Sequence, residues 1–341
     1  MTLKEIAEQA GVSASTVSRV INSPDNSFAR KEVRERVWKI VKDTGYTPNQ
    51  SARDLKKGSQ GTERAKPYTI SCILARTRSY EENPFFAQVA RAAEQQALSM
   101  GCIVAASFSA YDIESPETIR KVESTRTDGA LVLGRFSPQA CSLFLKHYKH
   151  LVYIGRNIID ANLDQVICDG YDAAKTALKH LISNGHSRIG YIGETENEIR
   201  FKAYQDIMKE RGFLNSCDLV SSCSQDCMGG YAGAKNLLNS AKPLPTAVFC
   251  ATDAAAIAAI KCFAEHRVKI PNDLSVVGMD DIEIAQFITP MLTTVGMPKV
   301  EMGNVAVRTL IDRMNKVHRM PMKIFLPHKL TIRESTAIRK A

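Results

Sequence analysis

No long apolar run opens the chain: Lys4, Glu5 and Glu8 interrupt the first ten residues, which leaves no secretory signal or membrane span to expect. No GxGxxG follows the first strand-like segment, and neither GxxxxGK[ST] nor GxSxG occurs, which removes the usual dinucleotide, phosphate-loop and nucleophile-elbow readings. The seven histidines form no HExxH or other tight ligand cluster. Nine cysteines, an odd number, are scattered over the chain from Cys72 to Cys262, several inside apolar runs, as reduced core thiols of a cytoplasmic protein would be. Cys223 and Cys227 have a metal-like spacing but no second ligand pair, so incidental thiols are the expectation. No metal, no cofactor and no enzymatic activity are therefore expected.

What is present is an ordinary soluble composition, 44% hydrophobic and 24% charged, over 341 residues, enough for two or three domains. The charge is unevenly placed. Residues 1–66 hold 13 Lys or Arg against 8 Asp or Glu, so more than half of the net +9 lies in the first fifth of the chain. Such an end suits a polyanionic partner, although solubility would also account for a charge of this size.

The same end carries a helical pattern. Thr2 and Glu5 are spaced as a capping box, and Leu3, Ile6, Ala7 and Ala10 share one face of the helix that would follow. Gly11 allows the chain to leave that helix, Val12 fills the corner and Ser13 can cap a second one. In the second helix Val17, Val20 and Ile21 turn inward and leave Ser15, Thr16 and Arg19 outside. A third amphipathic helix follows, with Val33, Val37, Ile40 and Val41 on one face and Gly45 beyond its end. A solvated helical hairpin would share part of this pattern; small residues at the crossing and a second helix free of acids point to a DNA-reading headpiece instead.

The run Gly11, Val12, Ser13, Thr16, Val17, Ser18, Arg19, Val20, Asn22 resembles the GVSxxTVSRVxN string of the LacI/GalR family of bacterial repressors. Tyr46–Gly58, YTPNQSARDLKKG, is similar to that family's hinge, with Thr47 and Pro48 opening a helix too short to be stable alone. The resemblance implies that two hinge helices, one per subunit, pack over the minor groove and form only on operator. Ala52 and Leu55 match the packing positions, and Leu55 the side chain wedged between base pairs. It implies DNA contacts from Thr2, Ser13, Ala14, Ser15, Thr16, Ser18, Arg19, Asn22, Asn49, Ala52 and Leu55. The polar run KKGSQGTERAK then reads as a connection.

From Tyr68 onward, apolar runs (TISCILA, CIVAASF, GALVLG, LVYIG, RIGYIG, TAVFCA, LSVVGM) alternate with helical stretches such as Phe85–Met100 and Tyr171–Asn184, the pattern of parallel sheets with helices on both faces. About 270 residues suit two lobes better than one sheet. Further strings that carry the resemblance are NPFF near Asn83, TDGALVLG near Asp128, HLISNGHSRIGYIG from His180, IPNDLSVVGMDD from Ile270 and LTIREST near the end. The expected fold is an all-α helix-turn-helix headpiece with a hinge helix, plus an α/β two-lobed domain like the periplasmic sugar-binding proteins, built on two doubly wound parallel sheets. The expected boundaries are 1–58 for headpiece and hinge (hinge helix 48–57), 59–67 for the linker, 68–168 with 295–322 for one lobe, and 169–294 with 323–341 for the other. That places chain crossings near Asp169, Thr294 and Lys323.

Ligands of open α/β sheets bind outside the carboxyl ends of the strands. That selects Arg76 to Phe85, Ser109, Arg156, Arg200, Thr252 with Asp253, and Asp280, a set of planar polar groups and aromatics suited to sugar hydroxyls and ring faces. The resemblance assigns Arg200 and Asp280 to the effector. Thr252 stands where relatives often have Asn and Ala203 where Gly is usual, which leaves the ligand's identity open. The expected effector residues are Phe85, Arg156, Arg200, Thr252 and Asp280; a surface salt bridge at Arg200 and loop capping at Asp280 are the plain alternatives. A cytoplasmic homodimeric repressor of a carbohydrate operon follows, with pseudo-palindromic operator DNA and a sugar effector, galactose or a β-galactoside by similarity, as partners and no membrane. A dimer is preferred to a tetramer because no leucine-heptad helix follows the last strand-like segment. The alternatives are a global regulator with a protein or phosphorylated corepressor, and a sugar-binding protein without a DNA role.

Overall fold

The computed structural model describes residues 3–22, 29–44, 67–213 and 217–339. The chain divides into two compact units, Met1–Lys66 and Pro67–Ala341. Thr2, Asn49, Ala52, Leu55, the hinge helix and the linker up to residue 66, together with the side chain of Asn22, lie outside the described residues.

In the first unit, α1 (Leu3–Ala10), α2 (Ala14–Asn22) and α3 (Lys31–Thr44) enclose a small core of Ile6, Ala7, Ala10, Val17, Val20 and Val37, all buried. Val12, Ile21, Val33, Ile40 and Val41 pack half-buried around it, which is the inward stripe expected from the spacing. Gly11 takes φ +63°, a backbone state that an L side chain adopts at a cost, and so lets α1 turn tightly into α2.

The second unit holds two six-stranded sheets. In the first, β1 (Thr69–Leu74), β2 (Ile103–Ser109), β3 (Gly129–Leu133), β4 (Leu151–Gly155), β5 (Asp164–Ile167) and β11 (Lys323–Phe325) run in the order β11-β5-β4-β3-β1-β2. In the second, β6 (Ile189–Gly193), β7 (Val220–Ser222), β8 (Ala247–Cys250), β9 (Ser275–Asp280), β10 (Thr293–Gly296) and β12 (Lys329–Thr331) run β12-β10-β9-β8-β6-β7. Strands β3, β4, β6, β8 and β9 are buried along their whole length, as continuous apolar runs covered on both faces must be. The pairing is parallel except at one edge, where β12 returns antiparallel to β10.

Helices α4 (Pro84–Ser99), α5 (Pro116–Ser124), α6 (Pro138–His147), α7 (Gly170–Ser183), α8 (Ile199–Glu210), α9 (Cys227–Ser240), α10 (Asp253–Glu265) and α11 (Lys299–Met314) cover the sheets. Their starts are written locally. Asn83, Ser115 and Ser137 each cap a helix that opens on proline, and Asp169, Asp226 and Thr252 accept first-turn amides of α7, α9 and α10. All nine cysteines are free, and Cys72, Cys102, Cys168, Cys250 and Cys262 are buried. Among the described residues no helix is long and apolar enough to cross a membrane.

The chain passes between the sheets three times. The first passage falls at Asp169, between β5 of the first sheet and α7. The second falls after Gly296 rather than at Thr294, because β10 pairs with β9 through Gly296. The third falls between Phe325 and Lys329 rather than at Lys323, because Lys323–Phe325 adds to β5 as an edge strand of the first sheet. A three-residue edge strand with alternating exposure has no apolar run to announce it.

Candidate functional site

On α2 the inward valines leave a polar outer face. Ser15 and Arg19 are exposed, and Ala14, Thr16 and Ser18 are half-buried. Ser13 Oγ accepts the Thr16 amide at 3.2 Å and shares hydrogen bonds of 2.8 Å with the Ser15 and Thr16 hydroxyls, so the expected cap is present and aligns the first turn. No acid lies on α2, and among the described residues no carboxylate pairs with Arg19. The helix therefore offers a guanidinium and small hydroxyls with no negative charge beside them, which suits a phosphate-lined groove.

The second candidate is a cavity of about 340 Å³ between the two sheets, at the carboxyl ends of their strands. From the first lobe it takes the loop after β1, including Arg76, Thr77 and Arg78, and the residues after β4, Arg156 and Asn157. From the second it takes Glu194 after β6, Glu198 and Arg200 at the start of α8, and Gln225 before α9. Phe86, Tyr111 and Tyr153 supply aromatic surface. A wider opening of about 850 Å³ adjoins it, sharing Arg156, Asn157 and Glu198.

Arg200 is built into the floor. Its Nε and Nη2 donate to Glu198 at 2.7 and 2.9 Å, Nη1 donates to the Ala251 carbonyl at 2.5 Å, and Nη2 also donates to Gln225 at 2.5 Å. Four of five guanidinium donors are thus spent within the protein, and one Nη1 hydrogen remains. Both side chains of the pair are 4% exposed. Burial alone would raise the Glu198 pKa, yet the charge and hydrogen bonds of Arg200 outweigh it and hold the carboxyl well below the usual range. Burial likewise favours a neutral Arg200, and Glu198 again reverses it.

Arg156 and Asp280 meet across the cleft in a buried ion pair. The guanidinium lies over the Phe85 ring, 4.1 Å from its centroid, and its Nε has no hydrogen-bond partner. Asp280 ends β9 at φ +122° and Asp281 follows at +52°, both uncommon for residues with a side chain. Lys299, at the start of α11, donates to their carbonyls at 2.5 and 2.9 Å. Burial raises the Asp280 pKa against the pull of Arg156, Arg200 and Lys299, and burial lowers those of Arg156 and Lys299. Two cations on first-lobe elements thus hold a strained turn of the second.

Of the five expected effector residues, Arg156 and Arg200 line the cavity. Phe85, Thr252 and Asp280 do not. Phe85 is fully buried beneath Arg156, Thr252 caps α10 and donates to the Gln225 carbonyl at 2.7 Å, and Asp280 faces Arg156. Arg135 and Glu194, which are not among the expected effector residues, each directly follow an apolar run, and the strand-end rule applied to every strand selects them. Tyr111, Tyr153 and Gln225 had no comparable signal. Among the described residues no group of His, Cys, Asp or Glu could hold a metal ion.

Comparison with known proteins bears on both sites. The profile of the bacterial regulatory proteins of the lacI family matches residues 2–49, and that of the periplasmic binding protein-like domain matches residues 178–336. The HTH-type transcriptional repressor PurR of Glaesserella parasuis serovar 5 is 30% identical over 100% of this chain and 98% of its own length. The ribose operon repressor of Haemophilus influenzae is 31% identical, covering 98% of each. Among solved structures, the transcriptional regulator CelR–cellobiose complex superposes with a TM-score of 0.72 at 26% identity, covering 98% of this chain and 99% of that one.

Proposed function

The chain belongs to the lacI family of bacterial regulatory proteins, a DNA-binding transcriptional repressor and not an enzyme, and on that premise we propose that a sugar-type effector in the interlobe cavity sets its affinity for operator. The observation that carries the reading is the 340 Å³ cavity itself, walled by both lobes and lined by planar polar groups beside aromatic rings. A ribose operon repressor and a cellobiose complex among the similar proteins support it. The protein works in the cytoplasm as a homodimer, each α2 reading half of a pseudo-palindromic operator, with Asn49, Ala52 and Leu55 of the hinge at the minor groove. Effector biases the two lobes toward one relative placement, and whichever placement it prefers decides induction or corepression.

A thermal-shift screen of the full chain against pentoses, hexoses, disaccharides and their phosphorylated or oxidised forms tests this. A sugar that binds only the native protein raises its melting temperature, and the same sugar should change operator retention. If no member of the panel shifts the melt, the reading fails.

For the DNA face, Arg19→Ala should cost about 1–3 kcal/mol of discrimination at one base pair, because a guanidinium can bond twice to guanine. Competition binding with operators changed at single positions measures this. An equal loss on every sequence would make Arg19 a phosphate contact.

A further inference from the structure

The two walls of the cavity carry opposite charge. The first-lobe wall presents Arg76, Arg78, Arg135 and Arg156 against Glu82, and the second-lobe wall presents Glu194, Glu198 and Asp226 against Arg200. Most of these charges are spent. Glu198 holds Arg200, Asp280 holds Arg156, Asp226 caps α9 through the Gly229 amide at 2.8 Å, and Glu82 accepts the Arg78 amide at 2.9 Å. What remains is three arginines on one wall, of which Arg135 also donates Nη1 to the Asn197 carbonyl, and a single carboxylate, Glu194, reaching across from the other. Glu194 contacts Arg76 and lies 3.6 Å from Arg135. Among the described residues no ion pair engages Arg78, whose guanidinium sits 5.4 Å from the Tyr111 ring centroid. Between the two arginines of the β1 loop, the buried Thr77 hydroxyl has no hydrogen-bond partner.

We infer that the effector carries an oxyanion, a phosphate or carboxylate on a polyol, which takes the place of Glu194 between Arg76 and Arg135 with Arg78 beside it. Arginine's planar fork is suited to such a group, and two or three forks converging on one acceptor are more than a neutral sugar hydroxyl can use. The cost of displacing Glu194 is small. Its side chain is 30% exposed, and those of Arg76 and Arg135 are 29% and 26% exposed, so water already screens the pair, in contrast to the 4% exposed Arg200–Glu198 pair that no ligand can open cheaply. Glu194 thus stands in the place of the anionic group and links the two lobes.

The inference rests on the effector reading of the cleft, and one titration separates the two. Calorimetry on the full chain would use matched sets: ribose with ribose 5-phosphate, glucose with glucose 6-phosphate and glucuronate, galactose with galactose 6-phosphate and galacturonate, and inorganic phosphate alone. In the set that binds, an acidic member should bind at least about tenfold more tightly than its neutral partner. The phosphate and carboxylate arms distinguish the source of the anion. Arg135→Gln should cost the acidic member about tenfold or more and leave the neutral one within about twofold. Glu194→Gln, at a half-exposed position, should tighten the acidic member alone. Neutral sugars binding as tightly as their acidic partners would overturn the oxyanion inference and leave the sugar reading standing. Binding of inorganic phosphate with no sugar active would keep the oxyanion and overturn the sugar. Silence across the whole panel would overturn both.

Discussion

Glu198→Ala should destabilise the second unit by about 3–5 kcal/mol, because it strands a guanidinium that has little access to water. Arg200 is 4% exposed, and the variant would leave its Nε and one Nη2 hydrogen without an acceptor, the Ala251 and Gln225 contacts being the rest of its shell. An intact pair is a weaker source of stability than this figure suggests. Charges taken out of water are costly to bury together, so the loss measures the unpaired cation rather than the worth of the bond. That distinction can be tested. Glu198→Ala combined with Arg200→Met removes both charges and should recover most of the stability lost by the single change, a coupling that additive effects cannot produce. Denaturant midpoints of the single and double variants measure it. A Glu198→Ala protein as stable as the parent, or a double variant worse than the sum of the two single changes, would sink the account. The same series bears on the effector, since Arg200 has one donor left for a ligand: Glu198→Gln keeps one acceptor oxygen near the guanidinium, and should weaken effector binding less than it weakens folding.

The residues that could be read in advance share a physical reason. Ile6, Val17, Val20 and Val37 recur at helical spacing because one face of a short helix must be dry, and they form the headpiece core as that spacing requires. Six of the seven apolar runs from TISCILA to LSVVGM became buried inner strands, as continuous apolar runs covered by helices on both faces should, while CIVAASF became the edge strand β2 with alternating exposure. Strands without a long apolar run stayed hidden: β5 is DQVI, fully buried yet half polar, and β11 and β12 are three-residue edges. The strand-end rule located the cleft but not its occupants. Which end-of-strand charge faces ligand and which faces another charge depends on contacts between residues 124 positions apart, as for Arg156 and Asp280. Phe85 shows the same limit. An aromatic beside the cleft is as useful beneath an arginine as above a sugar ring, and here it lies beneath one.

Asp164 is a second buried charge with a large expected effect, and it acts far from the cleft floor. It opens β5, is fully buried, and gathers four donors: Arg313 Nε and Nη2 at 2.8 and 2.7 Å, the Met322 amide at 2.7 Å and His318 Nε2 at 3.1 Å. These come from the end of α11 and from the segment leading into β11, so one carboxylate fastens the return of the chain to the first sheet. Asp164→Ala should cost about 3–5 kcal/mol near neutral pH, toward the lower figure because Arg313 and His318 keep some contact with water. The pH dependence has a definite sign. Burial alone would raise the Asp164 pKa, but the Arg313 and Met322 hydrogen bonds with His318 outweigh it and set the folded value below the ordinary 3.8. A carboxyl depressed by folding stabilises the protein fully above its unfolded pKa and loses that contribution as pH falls through the folded one. The stability gap between parent and Asp164→Ala, measured by denaturant unfolding, should therefore be present above about pH 5 and shrink below about pH 4. A gap that stayed constant into acid would mean that Asp164 works by shape and hydrogen bonding with no net preference for its charged form. Asp164→Asn separates these contributions: it keeps one acceptor for the Met322 amide, loses the charge opposite Arg313, and should fall between parent and alanine at neutral pH while showing no acid-linked loss of its own.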